Sequence, residues 1–251
     1  KVALVTGASA PHGIGRAIAL RLAQDGAIVI VTDIDGAMEV DGKPTQRSAL
    51  LQITVSEIVD AGGMALSLVL DVTNADDIQT VVEQTISEYG RLDIVVNNAG
   101  SLAGSDSFLS TTPDQWRSSF DVNLLGPMMV SQAVIPQMRA IGGGRIINIG
   151  SEPGFGAYTT MKHGLVGFSK TLAAEFGPDG ILCNTVCPGY IATDMHTAAN
   201  IRLAAERGIT VEQMKKERYS NVAVRDAGLP EDVANAVAYL AGPQANYVTG
   251  M

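Results

Sequence analysis

The residues Thr6-Gly7-Ala8-Ser9-Ala10-Pro11-His12-Gly13-Ile14-Gly15 follow a short apolar run and precede a helical pattern that starts at Arg16. Glycines let a backbone turn sharply and approach a pyrophosphate, whose charge then lies at the N-terminus of the following helix. A glycine cluster alone is a weak signal, but a strand before it and a helix after it strengthen the pattern. This stretch therefore predicts a dinucleotide-binding turn.

An acidic residue at the end of the second predicted strand extends this pattern. Asp33 lies 18 positions after Gly15, close to the spacing of about 20 that is typical of a carboxylate on the adenosine ribose. Such a carboxylate accepts hydrogen bonds from the ribose hydroxyls and repels a 2′-phosphate. Thr32, Ile34 and Asp35 place no cation beside it. The one potential phosphate partner in the turn, His12, is largely neutral near pH 7. The sequence predicts NAD rather than NADP, although Asp33 could instead only end a strand in water.

Six apolar runs alternate with helical patterns along the chain. The runs are nearly continuous in hydrophobicity, as is typical of strands buried on both faces, and their alternation with helices predicts βαβ units around a parallel sheet. They cover residues 2–6, 28–32, 66–70, 94–96, 146–149 and 182–186. We find no repeat and no linker. The expected fold is therefore α/β: a doubly wound, mainly parallel Rossmann sheet with helices on both faces, in one domain over residues 1–251.

Residues 36–46 break this alternation. The segment contains glycine, proline and mixed charges, and helical periodicity resumes only near Leu50. One interpretation is a loop that reaches over a ligand. The other, which surface loops of this length favour, is a solvated insertion.

Composition excludes several classes of function. The net charge of −9 and the absence of a basic cluster argue against nucleic acid and against an anionic membrane surface as partners. No apolar run reaches the roughly 18–20 residues that a membrane span requires, and the first residues enter a strand pattern at once, so we expect no signal peptide. Cys183 and Cys187 would lie about 13 Å apart on one strand, too far for a disulfide. These features predict a reducing, cytoplasmic compartment, and the sparse histidines and cysteines predict no metal site.

Six motifs in chain order resemble those of the short-chain dehydrogenase/reductase family, over nearly the whole chain. They are the glycine turn, Asp71-Val72, Asn97-Asn98-Ala99-Gly100, Asn123, Tyr158-Thr159-Thr160-Met161-Lys162, and Pro188-Gly189 with Thr193. Each motif alone is modest, but the six in this order are specific. The resemblance implies an NAD-preferring member with catalytic residues Asn123, Ser151, Tyr158 and Lys162. It also implies cofactor contacts at Gly7, Ser9, Gly13, Ile14, Gly15, Asp33, Asp71, Val72, Asn98, Ala99, Gly100, Tyr158, Lys162, Pro188, Gly189, Ile191 and Thr193.

Three features depart from the family pattern. Five residues separate Gly7 from Gly13 where the family has three, Ser151 precedes Tyr158 by only seven positions, and the family's last strand would follow residues 247–250. The last two departures suggest that the natural chain has further residues. The six residues between Ser151 and Tyr158 can nevertheless span roughly 20 Å, enough to bring the two side chains together.

Tyr158 and Lys162 are four residues apart and so share one face of a helix. A free phenol, with a pKa near 10, is a poor base at pH 7. An ammonium about 4 Å away at an effective dielectric near 20 contributes roughly 4 kcal/mol, enough to lower that pKa by about three units. We therefore expect Lys162 to lower the pKa of Tyr158, which would be the general acid/base of hydride transfer at a carbinol carbon. Ser151 would hydrogen-bond the substrate oxygen, and the resemblance implies that Asn123 holds a water against Lys162.

The sequence thus predicts an NAD-dependent alcohol dehydrogenase or ketone reductase acting on a small-molecule secondary alcohol or ketone. Two alternatives stay open: an NADPH-dependent carbonyl reductase of the 3-oxoacyl type, and a regulatory protein that binds NAD without turnover. Residues 193–220 lie where the family has its substrate lid, and Glu152 could favour a polyhydroxylated or cationic substrate. The apolar helices expected after Pro113 and Tyr158 resemble the family's dimer contact, which implies a homotetramer.

Overall fold

A six-stranded parallel sheet forms the centre of the protein in a computed structural model, which describes residues 1–40, 42–105, 107–152, 154 and 156–251. Its strands run in the order β5-β2-β1-β6-β7-β8. Their bounds are β1 Val2–Thr6, β2 Ile28–Asp33, β5 Met64–Val69, β6 Ile94–Asn97, β7 Gly144–Ile149 and β8 Ile181–Val186. All six strands were predicted from apolar runs, and the doubly wound α/β fold is confirmed.

Helices cover both faces of this sheet. They are α1 Ile14–Gln24, α2 Arg47–Asp60, α3 Ala75–Tyr89, α4 Pro113–Phe120, α5 Gly126–Ala140, α6 Gly156–Phe176, α7 Asp194–Arg207, α8 Val211–Tyr219 and α9 Pro230–Ala241. Buried side chains of α1, α2 and α9 pack on one face, and those of α3, α5 and α6 pack on the other. Because both faces are covered, the strands can be apolar at nearly every position.

Residues 37–40 and 43–46 form a structure that the sequence did not predict. Instead of a loop, β3 Ala37–Val40 and β4 Lys43–Gln46 pair as an antiparallel hairpin. Exposed and half-buried residues alternate along β3, so the pattern is that of a two-stranded ribbon over the protein surface. Gly42 in the turn has φ +74°, a conformation that glycine adopts without strain. The hairpin leads directly into α2.

The polypeptide between Pro113 and Ala140 is interrupted where one helix was expected. A π-helical turn, Asp121–Leu125, separates α4 from α5. Such turns displace side chains from the regular helical rows and are frequent at functional sites. Asn123 lies within it.

The ends of α3 and α4 are explained by local sequence patterns. The side chain of Asn74 caps α3, which stops at Gly90, and Thr112 and Gln115 form a reciprocal capping box at α4. In both caps the side chain accepts hydrogen bonds from backbone N–H groups two or three residues further along the chain. Over the described ranges, the helices are too short or too polar to cross a membrane.

Candidate active site

The carboxyl ends of β1 and β6 lie side by side at the point where the strand order reverses. In open α/β sheets this switch point is where ligands bind. The backbone N–H groups of Asn98 and Ala99 donate to Thr6 Oγ1 at 3.1 and 3.0 Å. The Asn98 amide donates to the carbonyls of Thr6 and Gly7 at 2.9 and 2.8 Å. These bonds fix the glycine turn against the Asn-Asn-Ala-Gly segment.

Two glycines permit this close packing. Gly7 has φ +69°, and a Cβ there would lie 2.7 Å from Ala99 Cα. A Cβ at Gly15 would lie 2.5 Å from Asn98 Nδ2. Gly13 precedes α1, whose first turn has no side-chain cap and no acidic residue. The N–H groups at the start of α1 and the positive end of its dipole suit a pyrophosphate. The turn therefore fits a dinucleotide.

Asp33, the predicted ribose ligand, ends β2 beside this turn. Its Oδ2 accepts from the backbone N–H and the hydroxyl of Ser9 at 3.0 and 2.6 Å. Its Oδ1 accepts from the backbone N–H of Ile34 at 2.9 Å and forms an ion pair with Arg47 at 3.4 Å. The inference that no cation stands beside Asp33 was therefore wrong. Arg47 is 14 residues further along the chain, and only the unpredicted hairpin brings it back.

Lys162 lies on α6 with its ammonium buried; the residue is 4% exposed. Its Nζ donates a 2.8 Å hydrogen bond to the carbonyl of Ile149, the last residue of β7. Burial lowers the pKa of Lys162 to about 8, an effect that the nearby Cys187 partly offsets. The Lys162 ammonium is therefore fixed by the carbonyl of Ile149, and its burial carries a desolvation cost.

Tyr158 is half-buried one turn before Lys162, and its ring centroid is 5.9 Å from the ammonium. Burial raises the pKa of the Tyr158 phenol, and a hydrogen bond from the Ser151 side chain partly counteracts this rise. The expectation of a lowered Tyr158 pKa is wrong for the structure, because burial disfavours the phenolate more than the Ser151 hydrogen bond favours it. The predicted partnership of Ser151 with Tyr158 is present despite its short spacing.

Asn123 is fully buried in the π-helical turn. Its Oδ1 accepts from the backbone N–H of Ser101 at 3.1 Å, and its Nδ2 donates to the Ser101 carbonyl at 2.9 Å. Gly100 sits between Asn123 and Lys162, since a Cβ there would lie 3.1 Å from Asn123 Oδ1 and 3.3 Å from Lys162 Nζ. The structure thus brings Asn123 and Lys162 to opposite sides of one glycine.

The remaining predicted cofactor residues also follow strand ends, but several of their side chains are committed to protein contacts. Thr193 Oγ1 caps α7 by accepting from the backbone N–H of His196 at 3.2 Å. Asp71 Oδ1 accepts from the backbone N–H of Thr73 at 2.8 Å. Val72 is buried in the core.

The segment after β8 contains the predicted cofactor residues Pro188, Gly189 and Ile191. Pro188 and Gly189 come directly after Cys187, and a Cβ at Gly189 would lie 3.0 Å from the Glu152 carboxylate. Ile191 pairs with Gly228 through an isolated bridge. Glu152 therefore lies against this segment and close in sequence to Ser151.

A buried polar chain behind the site was missed in the sequence. Asn97 Nδ2 donates to Asn148 Oδ1 at 2.8 Å, and Asn148 Nδ2 donates to Ser169 Oγ at 2.8 Å. Ser169 Oγ and Thr185 Oγ1 are 2.7 Å apart. The chain joins β6, β7, α6 and β8. Asparagines inside otherwise apolar strands were the available signal, because buried amides require partners.

The segment expected to be a lid contains α7 and α8. Tyr219 OH and His196 Nε2 lie 2.9 Å apart, and burial lowers the pKa of His196 to about 4. At the start of α7, the Asp194 carboxylate accepts from the backbone N–H of His12 at 3.0 Å and lies 2.8 Å from its ring nitrogen. This contact links the glycine turn to α7.

A family model described as Enoyl-(Acyl carrier protein) reductase matches residues 7–251. The Short-chain reductase protein NovJ of Streptomyces niveus is 39% identical, over 99% of this chain and 90% of its own length. The chain belongs to the short-chain dehydrogenase/reductase family. The 3-oxoacyl-[acyl-carrier-protein] reductase FabG of Vibrio cholerae is another relative of this short-chain dehydrogenase/reductase, 38% identical over 100% of the chain and 93% of its own length.

Two solved structures of related enzymes differ in their dinucleotide. A variant of the actinorhodin polyketide ketoreductase with NADPH is 33% identical, with a TM-score of 0.87 over 100% of this chain and 93% of its own. An NAD⁺-bound xylitol dehydrogenase is 27% identical, also with a TM-score of 0.87, over 100% and 95%. The chain is therefore an oxidoreductase of this family with a site for a nicotinamide dinucleotide. Among the described residues, no group of three or more histidine, cysteine, aspartate or glutamate side chains could hold a metal.

Proposed function

We propose that this protein transfers a hydride between NAD(H) and a secondary alcohol or its ketone, with Tyr158 as the general acid/base. The observation that carries the proposal is the grouping of the Tyr158 phenol, the Ser151 hydroxyl and the buried Lys162 ammonium at the carboxyl edge of the sheet. This grouping lies on the same edge as the glycine turn and Asp33.

Each side chain would have one task. The bound nicotinamide supplies or accepts the hydride. Ser151 donates a hydrogen bond to the substrate oxygen and orients it. Tyr158 donates a proton to that oxygen during reduction and accepts one during oxidation. Lys162 supplies positive charge beneath Tyr158, and Asn123 holds the Ser101 backbone and so the loop against which Lys162 packs.

The names of the reductase relatives support ketone reduction as the favoured direction. The Tyr158 phenol, whose pKa is raised by burial, is protonated at neutral pH and so in the form that a general acid requires. We keep the reverse oxidation as the slower direction at neutral pH.

NAD(H) is the proposed main cofactor because Asp33 ends β2 with both carboxylate oxygens at the predicted ribose site. The xylitol dehydrogenase relative binds NAD⁺. The alternative is an NADPH-dependent reductase of the 3-oxoacyl type, which the actinorhodin ketoreductase and the FabG relative favour. A regulatory protein that binds NAD without turnover is disfavoured, since it would not require Tyr158 beside a buried lysine.

We also propose one domain with α7 and α8 as the lid over the substrate. The resemblance to the family further implies a homotetramer, formed through α5 and α6. Size-exclusion chromatography with light scattering measures the assembly. A mass near four times 26.2 kDa supports the tetramer, and a monomer contradicts it.

The proposed activity is tested by a substrate panel. Oxidation of NADH and of NADPH is followed at 340 nm with ketones that include β-ketoacyl thioesters, cyclic ketones and keto sugars, and the corresponding alcohols are assayed with NAD⁺. We expect turnover with at least one ketone and higher kcat/KM with NADH. Turnover with NADPH alone would support the alternative, and binding of both dinucleotides without any turnover would support the regulatory protein.

A further inference from the structure

Arg47 lies where the hairpin returns to the nucleotide site. It is the first residue of α2, and its guanidinium is 3.1 Å from Ser9 Oγ and 3.4 Å from Asp33 Oδ1. Met38 of β3 places its sulfur 3.8 Å from both Ser9 Oγ and the Arg47 guanidinium. The hairpin therefore packs against the predicted adenosine ribose site and holds a cation there.

This cation changes the charge that a ribose substituent would meet. Asp33 alone would repel a 2′-phosphate, but its charge is paired with Arg47 at a partly shielded position, with the two side chains 12% and 27% exposed respectively. Charges that are partly removed from water interact more strongly than exposed ones. Asp33 can keep its hydrogen bonds from Ser9 and Ile34 if Arg47 turns away.

A cavity of about 230 Å³ extends from Ser9 between the glycine turn and α2. His12 and Arg16 line it, together with Glu57, which is ion-paired with Arg16. The other neighbouring carboxylate, Asp194, is bound to His12. Asp33, Glu57 and Asp194 thus each have a basic partner, and there is space for an additional group beside Ser9.

We propose that Arg47 is a specificity-determining residue that binds the 2′-phosphate of NADP(H) and so lets the protein use both dinucleotides. The inference rests on the proposed function. A guanidinium binds phosphate through two parallel hydrogen bonds, so Arg47 exchanges its single contact with Asp33 for a paired contact with the phosphate. With NAD(H), Arg47 stays on Asp33.

Binding of NADH and of NADPH to the full chain, measured by isothermal titration calorimetry, tests this role without any substrate. We expect the wild type to bind both, with Kd values within about tenfold of each other. Arg47→Met should weaken NADPH binding at least tenfold, which corresponds to about 1.4 kcal/mol, and change NADH binding less than threefold. Arg47→Lys should give an intermediate loss for NADPH, because it keeps the charge without the paired donors.

Lys43→Met is the matched control. Lys43 lies on β4 of the same hairpin and is exposed, so its loss changes the net charge equally and should leave both Kd values within twofold. The inference is overturned if the wild type binds NADH but not NADPH, or if Arg47→Met weakens both dinucleotides equally. If the wild type binds neither dinucleotide, the proposed function fails as well.

Discussion

The Lys162 ammonium donates a 2.8 Å hydrogen bond to the carbonyl of Ile149, at the end of β7. This bond ties the helix that carries Tyr158 to the strand that leads into Ser151. Tyr158, the proposed acid/base residue, and Ser151, proposed to orient the substrate, are therefore positioned through one buried cation. Its burial also makes the charge of Lys162 sensitive to pH.

Lys162 should make the protein more stable as the pH rises from 7 to 9.5. The pKa of Lys162 is lowered to about 8 in the folded state and is near 10.4 in an unfolded chain. Between these values the unfolded state binds more protons, so stability increases with pH. The contribution is about 2 kcal/mol by pH 9.5.

Urea denaturation of the wild type and of Lys162→Met at both pH values measures this difference. The free energy of unfolding of the wild type, minus that of Lys162→Met, should increase between pH 7 and 9.5. Lys170→Met, an exposed lysine on the same helix, should show the pH dependence of the wild type. If the stability of Lys162→Met depended on pH in the same way as that of the wild type, burial of the Lys162 charge could not be the cause.

Ser151→Ala should lower kcat by about 10²–10³-fold, the usual cost of removing one donor from a developing oxyanion. The Ser151 hydrogen bond lowers the pKa of Tyr158. Its loss should therefore move the rising limb of the pH profile for oxidation, which reports deprotonation of the general base, to higher pH. Steady-state kinetics over pH 6–10 measures both effects. Ser118→Ala, an exposed serine on α4, is the control, and a Ser151→Ala profile that matches it would remove Ser151 from the mechanism.

Asn148→Ala should destabilise the protein by about 2–3 kcal/mol. The change leaves Ser169 and Asn97 short of buried partners, and unpaired buried groups carry their full desolvation cost. Because Ser169 is on α6, kcat should also fall, by about tenfold. Thermal unfolding and kinetics measure the two effects. Asn221→Ala, at an exposed position, should cause neither, and a neutral Asn148→Ala would show that the polar chain does not position α6.

The sheet and most helix ends were predictable because they depend on local patterns. The strands from Val2 to Val186 are apolar at nearly every position, since both faces are covered, and the Asn74 and Thr112 caps bond within three residues. The hairpin was not predictable in this way. Its strands are short and mostly exposed, and the contact of Met38 with the distant Ser9 helps to hold it in place.

The sequence predicted which residues lie together in the candidate site, but part of the predicted electrostatics was wrong. The four-residue spacing placed Tyr158 and Lys162 together, and the family resemblance added Ser151. The sign of the pKa shift of Tyr158 depends on how much of the phenol is buried, which spacing does not reveal. The pairing of Asp33 with Arg47 depends on the hairpin in the same way. The catalytic roles of Asn123, Ser151, Tyr158 and Lys162 stay predictions.

The central claim, that the Tyr158 hydroxyl transfers the proton, is tested by hydride transfer in single turnover with Tyr158→Phe and saturating NADH. We expect a loss of at least 10²-fold in rate, with NADH binding within threefold of the wild type and Tyr239→Phe, an exposed tyrosine, unaffected. A Tyr158→Phe rate equal to that of the wild type would contradict the account.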